Sequence, residues 1–394
     1  GEVAWFDRTD LTVTILNDLP DIKKNTEKKV FFSLLFDKDN ILWLTSSTQG
    51  VLRVSFPKQQ FNLFNIGQST LNTGVKALYQ TRNEDIWYST RQAEVYCVDK
   101  NMKIKHVFGP GNNPIGSVYH IMEDHKGNFW FSTKGNGLVL AEPVAGKYKL
   151  TRFMYDELNP NSISGNDVYY TFEDSNNRIW VGLFGAGLNL VNNENGKISF
   201  QNKFNSFDNY PKFGQYMEVR NITEDKEGRI WVGTSDGLMS FDGHFSQANK
   251  IEFEIYRNEK SNSNISDNDI YVLYKDAAGQ IWVSVFGGGL NKLVGYDKTE
   301  HRPEFKSYSW REGLNSEVIV SIVEDDKNAL WLATENSISR FDKEKETFRN
   351  FDHYDGFLNV QMEEESALKL ASGDLWFGSR RGILAFDPEK IETY

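Results

Sequence analysis

Asn221-Ile-Thr-Glu-Asp-Lys-Glu-Gly-Arg-Ile-Trp231-Val-Gly-Thr-Ser-Asp-Gly-Leu-Met-Ser-Phe-Asp242 is the clearest of several related stretches in this chain of 394 residues. Glu123-Asp124-His-Lys-Gly-Asn-Phe-Trp130 leads to Thr133-Lys-Gly-Asn-Gly-Leu138, and Glu173-Asp174-Ser-Asn-Asn-Arg-Ile-Trp180 leads to Gly182-Leu-Phe-Gly-Ala-Gly-Leu188. Asp276-Ala-Ala-Gly-Gln-Ile-Trp282 leads to Val285-Phe-Gly-Gly-Gly-Leu290. Glu324-Asp325-Asp-Lys-Asn-Ala-Leu-Trp331 and Ser372-Gly-Asp-Leu-Trp376 are looser copies. Adding Trp43 and Trp87 gives eight tryptophans separated by 44, 43, 50, 51, 51, 49 and 45 residues; only Trp5 and Trp310 fall outside the series. A period of 40–50 residues marks a repeat architecture.

Each part of the copy has a physical reading. An apolar run precedes the Asp, as in Val318 to Val323, and reads as a first strand. Asp bonds its own turn, and Gly or Asn accepts a positive φ. Ile-Trp-Val is a second, β-rich strand. A glycine-containing loop leads to a third strand, Gly237 to Phe241, and a polar fourth follows, Glu252 to Tyr256. Four short antiparallel strands per copy describe a blade of a β-propeller. The expectation is an all-β fold, a single domain over residues 1–394, with each Trp packed between adjacent blades. The two-residue alternation excludes a helical solenoid.

The copies fall near residues 28–65, 73–109, 116–156, 166–205, 217–257, 268–309, 317–351 and 364–394. The last stops soon after Ile383-Leu-Ala-Phe-Asp387, while Val3-Ala-Trp-Phe-Asp7 and Leu11-Thr-Val-Thr-Ile-Leu16 resemble a third and a fourth strand. The expectation is eight blades, with residues 1–20 completing the last and closing the ring, which removes exposed sheet edges. The alternative is seven blades, the first copy standing apart.

The net charge of −11 argues against a nucleic-acid partner. The single cysteine, Cys97, excludes an internal disulfide framework and reads as a small core residue. There is no run of 18 apolar residues, so no membrane insertion is expected. No apolar leader follows Gly1-Glu2, and the chain reads as a piece of a longer protein.

The Glu-Asp-x-x-Gly-x-Ile-Trp-Val-Gly-Thr-x-x-Gly-Leu-x-x-Phe-Asp pattern resembles the two-component-regulator propeller repeat. So do Asn159-Pro-Asn-Ser-Ile-Ser-Gly-Asn-Asp-Val168 and its echo Asn262-Ser-Asn-Ile-Ser-Asp-Asn-Asp-Ile270. The resemblance covers essentially the whole chain. It departs at the second copy, where Thr81-Arg-Asn-Glu-Asp85 replaces the turn and Thr90-Arg-Gln-Ala-Glu-Val95 lacks Gly-Leu, and it weakens at Glu335-Asn-Ser-Ile338. It implies the periplasmic sensor region of a hybrid two-component histidine kinase that detects glycan fragments. Its partners would be an oligosaccharide or other small molecule, neighbouring domains of the same receptor, and a second copy in a homodimer. Any kinase activity would lie outside this chain.

Catalytic constellations are sparse. His106, His120, His125, His244, His301 and His353 show no metal-ligand spacing, and there is neither a nucleophile elbow nor a phosphate loop. No metal and no cofactor are expected, and the turn Asp reads as a cap rather than a calcium ligand. A propeller lyase of the streptogramin or polysaccharide-lyase kind is an alternative, with His120 as its base. A third reading is a protein-interaction or dimerisation module.

Function concentrates in loops that vary on a rigid scaffold. The loops between second and third strands supply the candidate ligand-binding residues Arg91, Gln92, Lys134, Asn136, Phe184, Asp236, Phe286, Glu335, Arg380 and Arg381. Phe184 and Phe286 sit at glycine-rich tips, where a ring can stack on a sugar face or fold inward to plug the channel. Arg91, Arg380 and Arg381 suit a carboxylate or sulfate. Tyr169, Tyr216, Tyr271, Glu317 and Gln361 lie on the connections between blades.

Overall fold

The computed structural model describes residues 4–6, 13–15, 31–37, 42–46, 50–54, 60–66, 73–111, 114–211, 216–259, 263–352, 355–358 and 360–391. The chain divides into two compact units. The larger comprises residues 61–352 and 357–391; the smaller comprises 1–60, 353–356 and 392–394.

The larger unit holds seven four-stranded sheets. Blades one to six each run in chain order from a first strand: Val75–Gln80, Ser117–Glu123, Val168–Glu173, Val219–Glu224, Ile270–Lys275 and Ile319–Glu324. Blade seven takes Met362–Lys369, Leu375–Ser379 and Gly382–Phe386 from the end of the chain and its fourth strand, Asn62–Phe64, from before blade one. Each first strand touches the next, and Met362–Lys369 touches Val75–Gln80, so the seven close into a ring.

Closure therefore differs from the expectation. Ile383, Leu384 and Ala385 pair with Phe64, Leu63 and Asn62. Ala4–Phe6 and Val13–Ile15 pair instead with each other. The closing strand carries its own anchors: Phe61 meets Phe351, Phe357 and Phe386 edge-on at 5.8, 5.4 and 5.0 Å, and Phe64 meets Trp376 at 5.2 Å. Ile66, Val75, Ile86 and Tyr88 share a buried cluster with Leu370, Trp376 and Ile383, sealing blade one against blade seven. The first copy thus gives up its fourth strand, and the count is the alternative of seven.

The smaller unit keeps what remains of that copy as a three-stranded sheet, Phe31–Phe36, Leu42–Ser46 and Gly50–Val54.

The repeated Glu-Asp pair explains how the ring holds together. In five blades one carboxylate oxygen of the turn Asp accepts the indole N–H of the Trp six residues on. The distances are 3.0 Å for Asp124–Trp130, 2.8 Å for Asp174–Trp180 and Asp225–Trp231, 3.0 Å for Asp276–Trp282 and 2.8 Å for Asp325–Trp331. The other oxygen accepts backbone N–H groups of the turn itself, as from Lys126 and Asn128 at 2.9 Å. One oxygen thus caps the turn, as the cap reading anticipates, and the other holds the tryptophan. The Glu reaches the preceding blade: Glu173 accepts from His125 N–H and Glu224 from Ser175 N–H at 2.8 Å, and Glu324 from Ala277 N–H at 2.7 Å. The seven ring tryptophans are no more than 4 % exposed.

Blade one lacks the Asp. Thr81 spends its hydroxyl on Asp85 N–H, and the buried indole N–H of Trp87 has no partner. A buried donor left unpaired costs about 1–3 kcal/mol. Asp225→Ala should therefore destabilise the ring by about 2–3 kcal/mol. Thr81→Asp, which supplies the missing acceptor, should stabilise it by about 1 kcal/mol. Urea-unfolding midpoints decide the matter; no gain from Thr81→Asp would mean that Trp87 finds a partner by other means.

Candidate functional site

Every first strand of the ring is broken by a β-bulge at the same place. Register slips between Val75 and Ala77, Val118 and His120, Val168 and Tyr170, Val219 and Asn221, Ile270 and Val272, and Ile319 and Ser321. The extra residues are Lys76, Tyr119, Tyr169, Arg220, Tyr271 and Val320. A bulge twists the strand and re-aims a side chain. Blade seven has a larger one, between Met362 and Ala367, which carries Glu363-Glu364-Glu365.

These residues meet at one end of the ring around a cavity of about 200 Å³, lined by Lys76, Tyr119, Tyr169, Tyr271, Val320, Glu363 and Glu364. Arg91, Glu335, Gln361 and Arg380 complete its wall. Within each blade the start of the first strand pairs with the end of the second, as Val168 does with Leu183, so the second-to-third-strand loops share this end.

Of the ten sequence candidates, Arg91, Glu335 and Arg380 line the cavity. Phe184 and Phe286 lie beside it. Phe184 stacks on Tyr169 at 5.0 Å and Phe286 on Tyr271 at 5.4 Å, and the two remain 37 % and 46 % exposed. Tyr169 in turn stacks on Tyr119 at 4.7 Å. Lys134 stands 6.0 Å from the Tyr119 ring. Asn136 bonds back to the Lys134 carbonyl at 3.2 Å. Asp236 is engaged by Arg257 at 2.5 Å. Gln92 and Arg381 are exposed and outside the cavity wall. The bulge residues Lys76, Tyr119 and Arg220 and the strap Glu363–Glu365 were not among the candidates. The signal for the first three is positional: each follows a Val at the start of its first strand, Val75, Val118 and Val219.

The electrostatics of this end are partly self-satisfied. Arg91 grips Glu363 with two bonds, Nε to Oε1 at 2.6 Å and Nη2 to Oε2 at 3.0 Å, and this carboxylate raises the Arg91 pKa further. Arg220 stands 3.2 Å from Asp269 and 3.7 Å from Glu364, with its guanidinium over the Tyr271 ring at 4.4 Å.

Deeper in the same end, Glu365 holds a left-handed backbone at φ 51° and accepts from the Asn221 amide at 3.0 Å. Burial pushes its carboxyl up to about 8, with the Asn221 bond opposing and Glu364 adding. His120 stacks on Tyr170 at 3.9 Å, and its Nδ1 accepts the Thr171 N–H at 3.4 Å. Burial pushes the His120 imidazole down to about 3, so it is neutral and a poor base at pH 7.

Two larger grooves, of about 690 and 530 Å³, lie between blades four and five and between blades two and three. Each includes a repeat turn in its wall, Asp225–Arg229 and Asp124–Asn128, whose Asp is spent on its own turn and tryptophan. Among the described residues no group of three or more His, Cys, Asp or Glu side chains could hold a metal, and no helix is long and apolar enough to cross a membrane.

Comparison with known proteins agrees with this architecture. Residues 113–135, 162–185, 214–236 and 313–336 match the family described as two component regulator propeller. The chain carries repeats of that type. It is 22 % identical over 292 residues, 70 % of its length, to Histidine kinase P4 of Formosa agariphila. It spans only 20 % of that relative. The extracellular domain of a hybrid two component system from B. thetaiotaomicron aligns over 98 % of this chain and 54 % of its own, with a TM-score of 0.67 and 21 % identity. A catalytically inactive virginiamycin B lyase from Staphylococcus aureus, solved with quinupristin, aligns over 82 % of this chain and 98 % of its own at a TM-score of 0.58 and 15 % identity. At these identities the solved structures speak for the propeller fold.

Glu365 makes the ring's stability depend on pH. Its folded pKa lies above the unfolded value of about 4.3, so the folded state holds the proton longer. The stability it allows is full below pH 4, falls as pH rises and levels off above pH 8. Because the side chain is only half-buried by area, the full shift is discounted, to a loss of roughly 2 kcal/mol between pH 5 and 8. Glu365→Gln should remove that part of the slope in chemical unfolding; an unchanged slope would place the titration elsewhere.

Proposed function

We propose that this chain is part of the extracytoplasmic sensor region of a two-component receptor, and that the bulge-lined end of the ring binds an oligosaccharide. Occupancy there is relayed through neighbouring domains to a kinase outside this chain, in a homodimeric receptor placed in the periplasm. What carries the reading is the pair of aromatic platforms, Tyr119–Tyr169–Phe184 and Tyr271–Phe286, standing beside polar groups at one cavity. An aromatic face suits the C–H face of a sugar. Gln361 and Glu335 supply donors and acceptors for hydroxyls. The family match and the receptor domains among the relatives supply the signalling context.

A second reading, a protein-interaction or dimerisation surface, is favoured by one observation. Leu158 is 93 % and Trp310 66 % exposed, and both lie on connections between blades at this same end. The lyase reading is disfavoured by His120, whose ring is stacked, buried and bonded to backbone.

Titration calorimetry against a panel of oligosaccharides tests the proposal. At least one should bind, and Phe184→Ala and Phe286→Ala should each weaken it by about 3- to 10-fold, the range expected for one aromatic contact. Absence of binding by every oligosaccharide, with loss of self-association in Trp310→Ala, would move the assignment to the interaction surface.

A further inference from the structure

The cavity is lined by three cations, Lys76, Arg91 and Arg380, and three carboxylates, Glu335, Glu363 and Glu364, but they are not paired one to one. Arg91 is held by Glu363, and Arg220 stands between Asp269 and Glu364, which leaves Lys76, Arg380 and Glu335 without an ion-pair partner among the described residues. Lys76 is half-buried; its ammonium lies 3.6 Å from the Tyr119 ring centre and meets no carboxylate among the described residues. The Arg380 guanidinium likewise has no partner among them, although its backbone is fixed by N–H donation to the Gln361 carbonyl at 2.9 Å. In a chain of net charge −11, two uncompensated cations facing one small cavity are not a consequence of composition.

The wall holding them is built, not incidental. A Cβ on Gly74 would lie 2.8 Å from Arg91 Cδ and 3.1 Å from Arg380 Cα, so the glycine lets the two arginine-bearing loops of blades one and seven close over it. Glu363 already fills the Arg91 fork, so an incoming anion has Lys76 and Arg380 left to it. Glu335, which meets no cation among the described residues, is placed to accept a hydroxyl O–H rather than a second acid.

We infer that the ring's cavity recognises an acidic sugar, one whose carboxylate or sulfate is taken by Lys76 and Arg380 while its ring meets the exposed Phe184 or Phe286 that ends each aromatic stack. This rests on the oligosaccharide reading above and narrows it to anionic glycans. The cavity's about 200 Å³ suits one acidic residue rather than a chain, so the charged unit is expected at the end of the ligand.

The test is calorimetry with digalacturonate, a monosulfated disaccharide and neutral galactobiose, at low and high salt. Digalacturonate or the sulfated disaccharide, or both, should bind at least about tenfold more tightly than galactobiose and weaken as salt is raised. Preference between the two acids identifies the group. Lys76→Met and Arg380→Gln should each cost about tenfold with the acidic sugar, whereas Arg381→Gln, which removes an equal charge outside the cavity, should cost less than about twofold. Thermal melts of the three variants establish that they fold. Galactobiose binding as tightly as the acids, or acids binding undiminished by Lys76→Met and Arg380→Gln, would overturn this inference and leave the oligosaccharide reading standing. Failure of every sugar, here and across the wider panel, would overturn both.

Discussion

The bond from a tryptophan indole to the aspartate six residues before it is the constraint from which the rest of the ring follows. A large ring in each second strand fills the wedge between blades, but it brings a polar N–H into the interior. That donor needs an acceptor, because a buried unpaired group costs more than a paired one returns. The carboxylate meets the need while its other oxygen organises the turn it comes from. A buried carboxylate is itself expensive. In three blades a cation offsets it: Arg178 on Asp174 at 2.7 Å, Lys343 on Asp276 at 2.7 Å and, more distantly, Arg340 on Asp325 at 3.7 Å. Because the neighbouring Glu bonds the preceding blade's turn, one dipeptide fixes both the turn to its own core and each blade to the one before it.

The bulges create the functional end from the same scaffold. A bulge frees a carbonyl from the ladder, and the preceding blade captures it: Ser89 donates to the Val118 carbonyl at 2.9 Å, Ser284 to that of Ile319 at 2.6 Å and Ser321 to that of Glu363 at 3.0 Å. Stitching the blades together and turning one side chain per blade toward the centre are thus the same event. Blade seven exaggerates it. Its longer bulge carries three successive glutamates, which reach Arg91 of blade one, Arg220 of blade four and Asn221 of blade four. These contacts span the ring, so a ligand that moves the strap moves blades far apart in sequence.

What was legible in the sequence was whatever the copies share locally. The strand order, the turn role of the Asp and the place of the Trp follow from residues a few positions apart. Phe184 and Phe286 were legible as loop-tip rings because of the glycines beside them, but that they stack on Tyr169 and Tyr271 while staying partly exposed was not. Lys76 and Tyr119 were not. Whether an inner-strand side chain faces the core or the centre depends on a bulge, and a bulge is a property of pairing with another strand. Glu363 to Glu365 read as a charge run, and only the register of Met362 and Ala367 reveals that they are surplus to the strand.

The blade count failed for a related reason, and the first copy shows why. Trp43 makes the same bond as its ring counterparts, to Asp37 at 2.7 Å, yet it is 36 % exposed where they are at most 4 % exposed. The bond therefore forms within one hairpin and does not itself bury the indole. A tryptophan in each second strand counts hairpins, and it counts eight. The number of blades in the ring is set by something the motif does not contain, namely which sheet receives Asn62–Phe64. Those residues carry no turn and no tryptophan, only Phe61 and Phe64 at their edges, and the aromatic cage of Phe351, Phe357, Phe386 and Trp376 that takes them in lies about 290 to 325 residues away along the chain. Local chemistry specifies the blade, and a long-range strand pairing with its aromatic cage specifies the ring.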